Sequence, residues 1–171
     1  MWGTISDNVK EVAQVSIVKS QRTLSSTEFF DVAITIRAKI VGLLQEDFGD
    51  NRRLLELPDG SVVENRDYWL YQEIRQRIFG YAADLIANIT AANTIYITTQ
   101  NEYGVRRKYM TEAIINCQQI IQEMTFAVKV LPISAGKYLQ YVDMINKEIE
   151  HLKNWRKSDN KVLKKIMKEK E

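Results

Sequence analysis

Apolar residues recur at steps of three and four over four separate stretches of this chain, the period of helices that each bury one face. The pattern is cleanest where Met110, Ala113, Ile114, Cys117, Ile120, Ile121, Met124, Ala127, Val128 and Leu131 follow one another without a miss. Pro132 stops that third helix, and Ser134 is placed to cap the next. The fourth helix carries Tyr138, Tyr141, Val142, Ile145, Ile149, Leu152 and Trp155 on one face. Helix one begins at Ser25 or Ser26, where Ser25 and Glu28 fit a capping box. Its stripe is Phe29, Val32, Ala33, Ile36, Ile40, Leu43 and Leu44, and Gly49 fits the C′ position that ends it. Helix two is predicted from Arg66 to Gln100, with Tyr71, Ile74, Ile78, Tyr81, Ala82, Leu85, Ile89 and Ala92 facing one way. Its last part, Ile95 to Thr99, is β-branched, but the unbroken period before it and the lack of Gly or Pro place it in the helix. The break then falls between Asn101 and Gly104.

Two segments stand outside this period. Residues 1–24 form an N-terminal arm in which Val12, Val15, Ile17 and Val18 fit either a short strand or one helical turn. Between helices one and two, Pro58-Asp59-Gly60 separates two short apolar runs, a turn signal for a small hairpin. The expected fold is therefore all-α: an antiparallel up-down four-helix bundle over residues 25–157, with the arm before it and an excursion over residues 49–65. Residues 158–171 form a basic C-terminal tail that continues as helix or frays.

Composition narrows the class. Only seven Gly and two Pro in 171 residues argue against a β-sandwich, which needs many turns. One cysteine permits no intrachain disulfide and is compatible with a reducing compartment. No uncharged apolar run reaches the roughly 20 residues of a membrane span, and the first ten residues lack the order of a signal peptide, so a cytoplasmic protein is expected.

The net charge of +2 hides an asymmetry: residues 153–171 hold eight Lys/Arg against three Asp/Glu. A basic end of this kind suits a polyanion, and equally a solvated helix terminus whose cations face the helix dipole.

Candidate chemistry is sparse. His151 is the single histidine, three residues after Glu148; a di-iron bundle needs that Glu-x-x-His pair twice, so no metal site and no cofactor are expected. Cys117 lies in the middle of an apolar stripe and reads as core rather than nucleophile. There is no Gly-rich phosphate loop and no strand-turn-helix nucleophile motif, and a non-enzymatic role is expected. What remains is surface. Arg106, Arg107 and Lys108 open helix three, while Lys153, Arg156, Lys157, Lys161, Lys164 and Lys165 follow along helix four. In an up-down bundle these clusters share one end and merge into a surface for RNA or DNA phosphates. Tyr103, Tyr109 and Trp155 nearby offer stacking faces, although Trp155 also continues the helix-four stripe as a half-buried residue.

From Arg106 onward the chain resembles the accessory variability determinant proteins of diversity-generating retroelements. The run from Arg106 to Met124 is similar to that family's third helix: a basic start, then Ala, then a small or Cys residue ahead of a Leu/Ile–Glu pair. Lys137 and Tyr138, then Ile149, then the closing run from Lys153 to Asp159 around Trp155, are similar to its fourth helix. The related four-helix proteins encoded in ribosomal-RNA intervening sequences share the architecture. The N-terminal arm and the 49–65 excursion depart from the compact family pattern.

The resemblance implies a homo-oligomer, a pentamer, with a basic surface. It implies binding to a reverse transcriptase and to RNA or cDNA in support of mutagenic retrohoming, with Arg106, Arg107, Lys108, Arg156 and Lys157 at the family's basic places. Replacing Arg106 and Arg107 by Ala is then expected to weaken nucleic-acid binding with the fold intact. A helical protein-interaction module of a phage or mobile element, with no nucleic-acid role, is the alternative. Apolar residues left over from the core, such as Leu139 and Met144, are expected to build subunit contacts.

Overall fold

Four long helices and one small hairpin make up residues 28–48 and 52–168, the part of the chain that the computed structural model describes. The expected arm over residues 1–24, the Ser25 cap and Gly49 lie outside the described residues. Helix α1 spans Glu28–Gly42 and runs on into a π-helical segment, Leu43–Asp47. Ala33, Ile36, Ile40, Leu43 and Leu44 are buried, as their spacing requires. The wider π turn brings Phe48 inward as well. Phe48 is fully buried, edge-on to Tyr71 at 6.1 Å and to Tyr138 at 6.4 Å between ring centroids. The helix-one stripe read from the sequence stops at Leu44 and does not include it.

The excursion is a hairpin, strand β1 Leu54–Glu56 against β2 Val62–Glu64, paired antiparallel with Leu55 opposite Val63. Gly60 turns the chain with φ of +83°, a conformation that a Cβ disfavours. The Asp59 carboxylate accepts from the Ser61 N–H (2.9 Å) and hydroxyl, closing the turn from one side chain. Leu54 and Val62 are mostly exposed, so the hairpin stands off the core.

Helix α2 spans Tyr68–Thr94, α3 Gln100–Val130 and α4 Gly136–Lys168. Each buries the predicted stripe: Ile74, Ile78, Ala82, Leu85 and Ile89 from α2; Ala113, Cys117, Ile120 and Met124 from α3; Ile145, Ile149 and Leu152 from α4. Helices α1 and α3 each pack on both α2 and α4, which closes one core among four helices. Across α2 and α3, Arg77 meets Glu123 at 3.6 Å and the Asn88 amide donates to Asn116 at 2.9 Å. Numbers rise on one helix as they fall on the other, so these two run in opposite directions.

Two predicted boundaries move. Helix α2 ends at Thr94 rather than Gln100, and α3 begins at Gln100 rather than after Gly104. The β-branched run Ile95–Thr99 is the junction. Thr99 forms a capping box with Glu102: its hydroxyl accepts from the Glu102 N–H, and the Glu102 carboxylate accepts from the Thr99 N–H. That local pairing outcompetes helix continuation through residues of modest helix propensity. Helix α4 also passes the expected boundary at residue 158 without interruption. No described helix is long and apolar enough to cross a membrane.

Candidate nucleic-acid interface at the junction of α3 and α4

The start of α3 and the end of α4 meet through a cluster of polar side chains. The Arg106 guanidinium donates from Nε to Asp159 Oδ2 at 2.7 Å, from Nη2 to Asp159 Oδ1 at 3.3 Å, and from Nη1 to the Ile95 carbonyl at 2.7 Å. Its central carbon, Cζ, lies over the Trp155 ring, 4.8 Å from the centroid. One side chain therefore ties the α2–α3 junction, α3 and α4 together. Beside it, Arg107 donates to the Tyr103 hydroxyl (3.0 Å) and to Asn160 Oδ1 (3.1 Å), and Tyr103 donates to the same Asn160 oxygen. Arg107 also sits over the Tyr103 ring.

These contacts change the role read for Arg106. It is not a spare surface cation, because each part of its fork already holds a partner and its side chain is 14% exposed. Asp159 is buried, and burial pushes its carboxyl above the ordinary value, partly offset by the hydrogen bond and charge of Arg106. Removing Arg106 would strand that carboxyl. The expectation that Arg106→Ala spares the fold is corrected on this ground. Arg107 is likewise engaged, at the half-buried rim.

The remaining predicted cations, Arg156 apart, face solvent. Lys108, Lys157 and Lys161 are exposed and Arg156 is half-buried. Lys153 is exposed and pairs with Glu150 at 2.8 Å. Lys153, Lys157, Lys161 and Lys164 recur near helical period on the side of α4 opposite Leu152 and Asp159. The structure thus brings all seven predicted residues to α3's opening turns and the last turns of α4, and divides them into a tying pair and a solvent-facing set. Trp155 is half-buried, with its ring against Arg106.

Three residues at this end escaped the sequence reading. Asp159 and Asn160 fall where the sequence reading begins the basic tail and carry no site role there, although Asp159 lies one turn after Trp155 on the same stripe. Tyr96 was assigned to the interior of a helix; it sits in the junction and is 81% exposed.

Farther into the bundle, Glu148 is fully buried, and neither carboxylate oxygen has a hydrogen-bond partner among the described residues. Burial pushes its pKa up to about 8. The apolar stripe read for the fourth helix does not include this carboxylate. On α3, the Cys117 thiol is pushed far up, first by burial and then by the Glu148 charge, which makes it a poor nucleophile. No group of metal-ligating side chains occurs among the described residues. Compared with protein-family models, with curated proteins and with solved structures, the chain matches none of them.

Proposed function

We propose that this chain is an antiparallel up-down four-helix bundle acting as a non-enzymatic accessory protein of a diversity-generating retroelement. In this reading it binds the reverse transcriptase and RNA or cDNA, as a homo-oligomer, pentameric in the family it resembles, and works in the cytoplasm. The polymerase does the chemistry while this protein supplies charge and shape. One observation supports the nucleic-acid part: the Arg106–Asp159 and Arg107–Asn160 contacts bring the basic opening of α3 to the last turns of α4, whose outer side carries the exposed lysines. Lys108, Arg156, Lys157 and Lys161 then neutralise phosphates, with Lys153 at the margin and Arg106 and Arg107 holding the surface together.

The test is binding of the purified chain to a structured RNA across a salt series, with its mass in solution measured alongside. Affinity is expected to fall steeply with salt, by a slope of about 0.9 per phosphate contact on a duplex. The double variant Lys157→Ala, Lys161→Ala should bind more weakly, with a shallower slope and unchanged thermal unfolding. No binding at low salt would end this reading.

A second reading is a protein-interaction module without nucleic acid. It is favoured by the outer groove of about 580 Å³ between α3 and α4, lined by Gln118, Ile121, Gln122, Asn146, Ile149, Glu150 and Lys153. The exposed apolar residues Ile115, Phe126 and Leu139 on the same helices add to it. Met144, by contrast, packs half-buried against the core. A partner whose capture is insensitive to salt and to the lysine variants would support this reading instead.

A further inference from the structure

The β1–β2 hairpin keeps its apolar side chains outside the core. Leu54, Val62 and Val63 are exposed and Leu55 is half-buried. A lone two-stranded hairpin is marginal in water, and added strands stabilise it. Its ladder shows where a strand can be added. The Asn65 N–H donates to the Arg53 carbonyl (2.8 Å) and the Leu57 N–H to the Ser61 carbonyl (2.8 Å), so residues 53, 55 and 57 turn their backbone groups toward β2. Antiparallel ladders alternate. Leu54 and Glu56 therefore turn theirs to the outer edge of β1, and Val62 and Glu64 turn theirs to the outer edge of β2. Among the described residues neither edge meets a third strand.

The edge of β1 is complementary to itself in one register. Two copies running antiparallel about a two-fold axis at Leu55 set Leu54 opposite the second copy's Glu56, twice over. Both ladder pairs then exchange two hydrogen bonds and use every outward N–H and C=O of the strand. The neighbouring registers fail. An axis at Glu56 sets two carboxylates directly opposite and leans on Pro58, which has no N–H. An axis at Leu54 needs Arg52, which lies before β1 and whose carbonyl already accepts from the Asn65 amide at 2.9 Å.

Charge selects β1 over β2. Within one chain Arg53 reaches Glu64, the residue across from Leu54, at 3.5 Å. In the joined hairpins the second copy's Glu56 stands across from Leu54 on the other side, where the same arginine meets it. Joining through β2 about Val63 sets Glu64 across from Val62, whose neighbours are Ser61 and Val63, so no cation crosses that joint.

We infer that the free edge of β1 is a docking site for a second copy of this chain, whose own β1 completes a four-stranded antiparallel sheet. Val63, the two Leu55 side chains and the second Val63 then form one apolar row across it. The contact is isologous, so it joins chains in pairs and closes no ring of five. It is additional to the pentamer proposed above and owes nothing to nucleic acid.

The experiment uses the full chain carrying Leu55→Cys or Val63→Cys, oxidised with diamide and run on a denaturing gel without reductant. Native Cys117 is fully buried, so the parent should give no dimer band. Leu55→Cys should give a covalent dimer, because facing residues of a non-hydrogen-bonded pair lie about 4.5 Å apart at Cα, within disulfide range. Val63→Cys should give none, since three strand spacings, about 14 Å, separate its two copies. Glu56→Pro removes an outward N–H and spares the ladder to β2; added to Leu55→Cys it should abolish the band. Val62→Pro, on the other edge, should leave the band in place. Thermal unfolding of each variant should match the parent. A Val63→Cys band as strong as that of Leu55→Cys would overturn the β1 edge, and so would a Leu55→Cys band that survives Glu56→Pro. A Leu55→Cys chain that stays uncrosslinked at high concentration would show that no second hairpin lies on this edge and would end the proposal. None of these outcomes bears on the salt-dependent binding that tests the nucleic-acid reading.

Discussion

Arg106 and Asp159 lie 53 positions apart and form a two-pronged ion pair, with Arg106 Nε 2.7 Å from Asp159 Oδ2. Burial nevertheless pushes the Asp159 carboxyl up, so the cost of taking this charge from water outweighs what its partner returns. Such a pair specifies the register of two helices more than it stabilises them. Arg106→Ala should therefore cost about 3 kcal/mol, because it leaves a buried carboxyl without its cation. The double variant Arg106→Met, Asp159→Leu should recover most of that loss. Urea unfolding of the parent, both single variants and the double variant measures the coupling. A stable Arg106→Ala variant would show that the pair is incidental.

The junction before α3 gives a second prediction. The Glu102 carboxyl is held below its ordinary value, chiefly by the hydrogen bonds from Thr98 and then by those from Thr99. A lowered carboxyl contributes stability above its unfolded pKa and loses it as pH falls through the folded value. Thr99→Ala should cost about 1 kcal/mol at neutral pH. Glu102→Ala should remove the same cap from the other side, so the two losses together should fall short of their sum. Full additivity in thermal unfolding would mean that the box does not act as a unit.

The helix faces were legible because burial of a stripe at period 3.6 is a property of each helix alone. Residues such as Ile78, Leu85, Ile120 and Ile145 needed no knowledge of their neighbours. The hairpin was legible for an equally local reason, since Pro58, Asp59 and Gly60 encode a turn in three residues. Contacts between helices were not. That Arg106 meets Asp159 depends on how α3 slides along α4, and no single-helix pattern carries that offset. The end of α2 was misplaced because Ile95 to Thr99 is nearly neutral between helix and extended backbone, and the Thr99–Glu102 box decides it. Glu148 was legible by position, three residues after Ile145 and four before Leu152, but its charge argued against the position it holds. The candidate surface was legible as a run of charge; which cations face out and which are spent inside the protein was not.

Cys117 should be inert. Its thiol is fully buried, and burial together with the Glu148 charge pushes its pKa far above the ordinary thiol range. The thiolate is the reactive form, so modification must wait for the bundle to open. Reaction with a disulfide reagent should be slow in native buffer and accelerate with urea in parallel with unfolding. Stoichiometric labelling within seconds under native conditions would contradict the burial of this residue.

Glu148 sets the pH response of the core. Its carboxyl titrates near 8 in the folded chain because burial disfavours the charged form, against an ordinary value of 4.5. Between those values the folded chain keeps a proton that the unfolded chain has released, so the unfolded state binds fewer protons and stability falls as pH rises. The loss begins above the ordinary carboxyl pKa, is nearly complete past pH 8, and amounts to no more than on the order of 5 kcal/mol. Glu148→Met keeps the volume and removes the titration, which should make the core more stable than the parent at pH 8.5 and nearly level with it at pH 5. Urea midpoints of the two proteins across that range measure the difference directly, since the other titrating groups are common to both. A gap between them that does not widen with pH would mean that Glu148 finds water or a partner for its charge when it ionises.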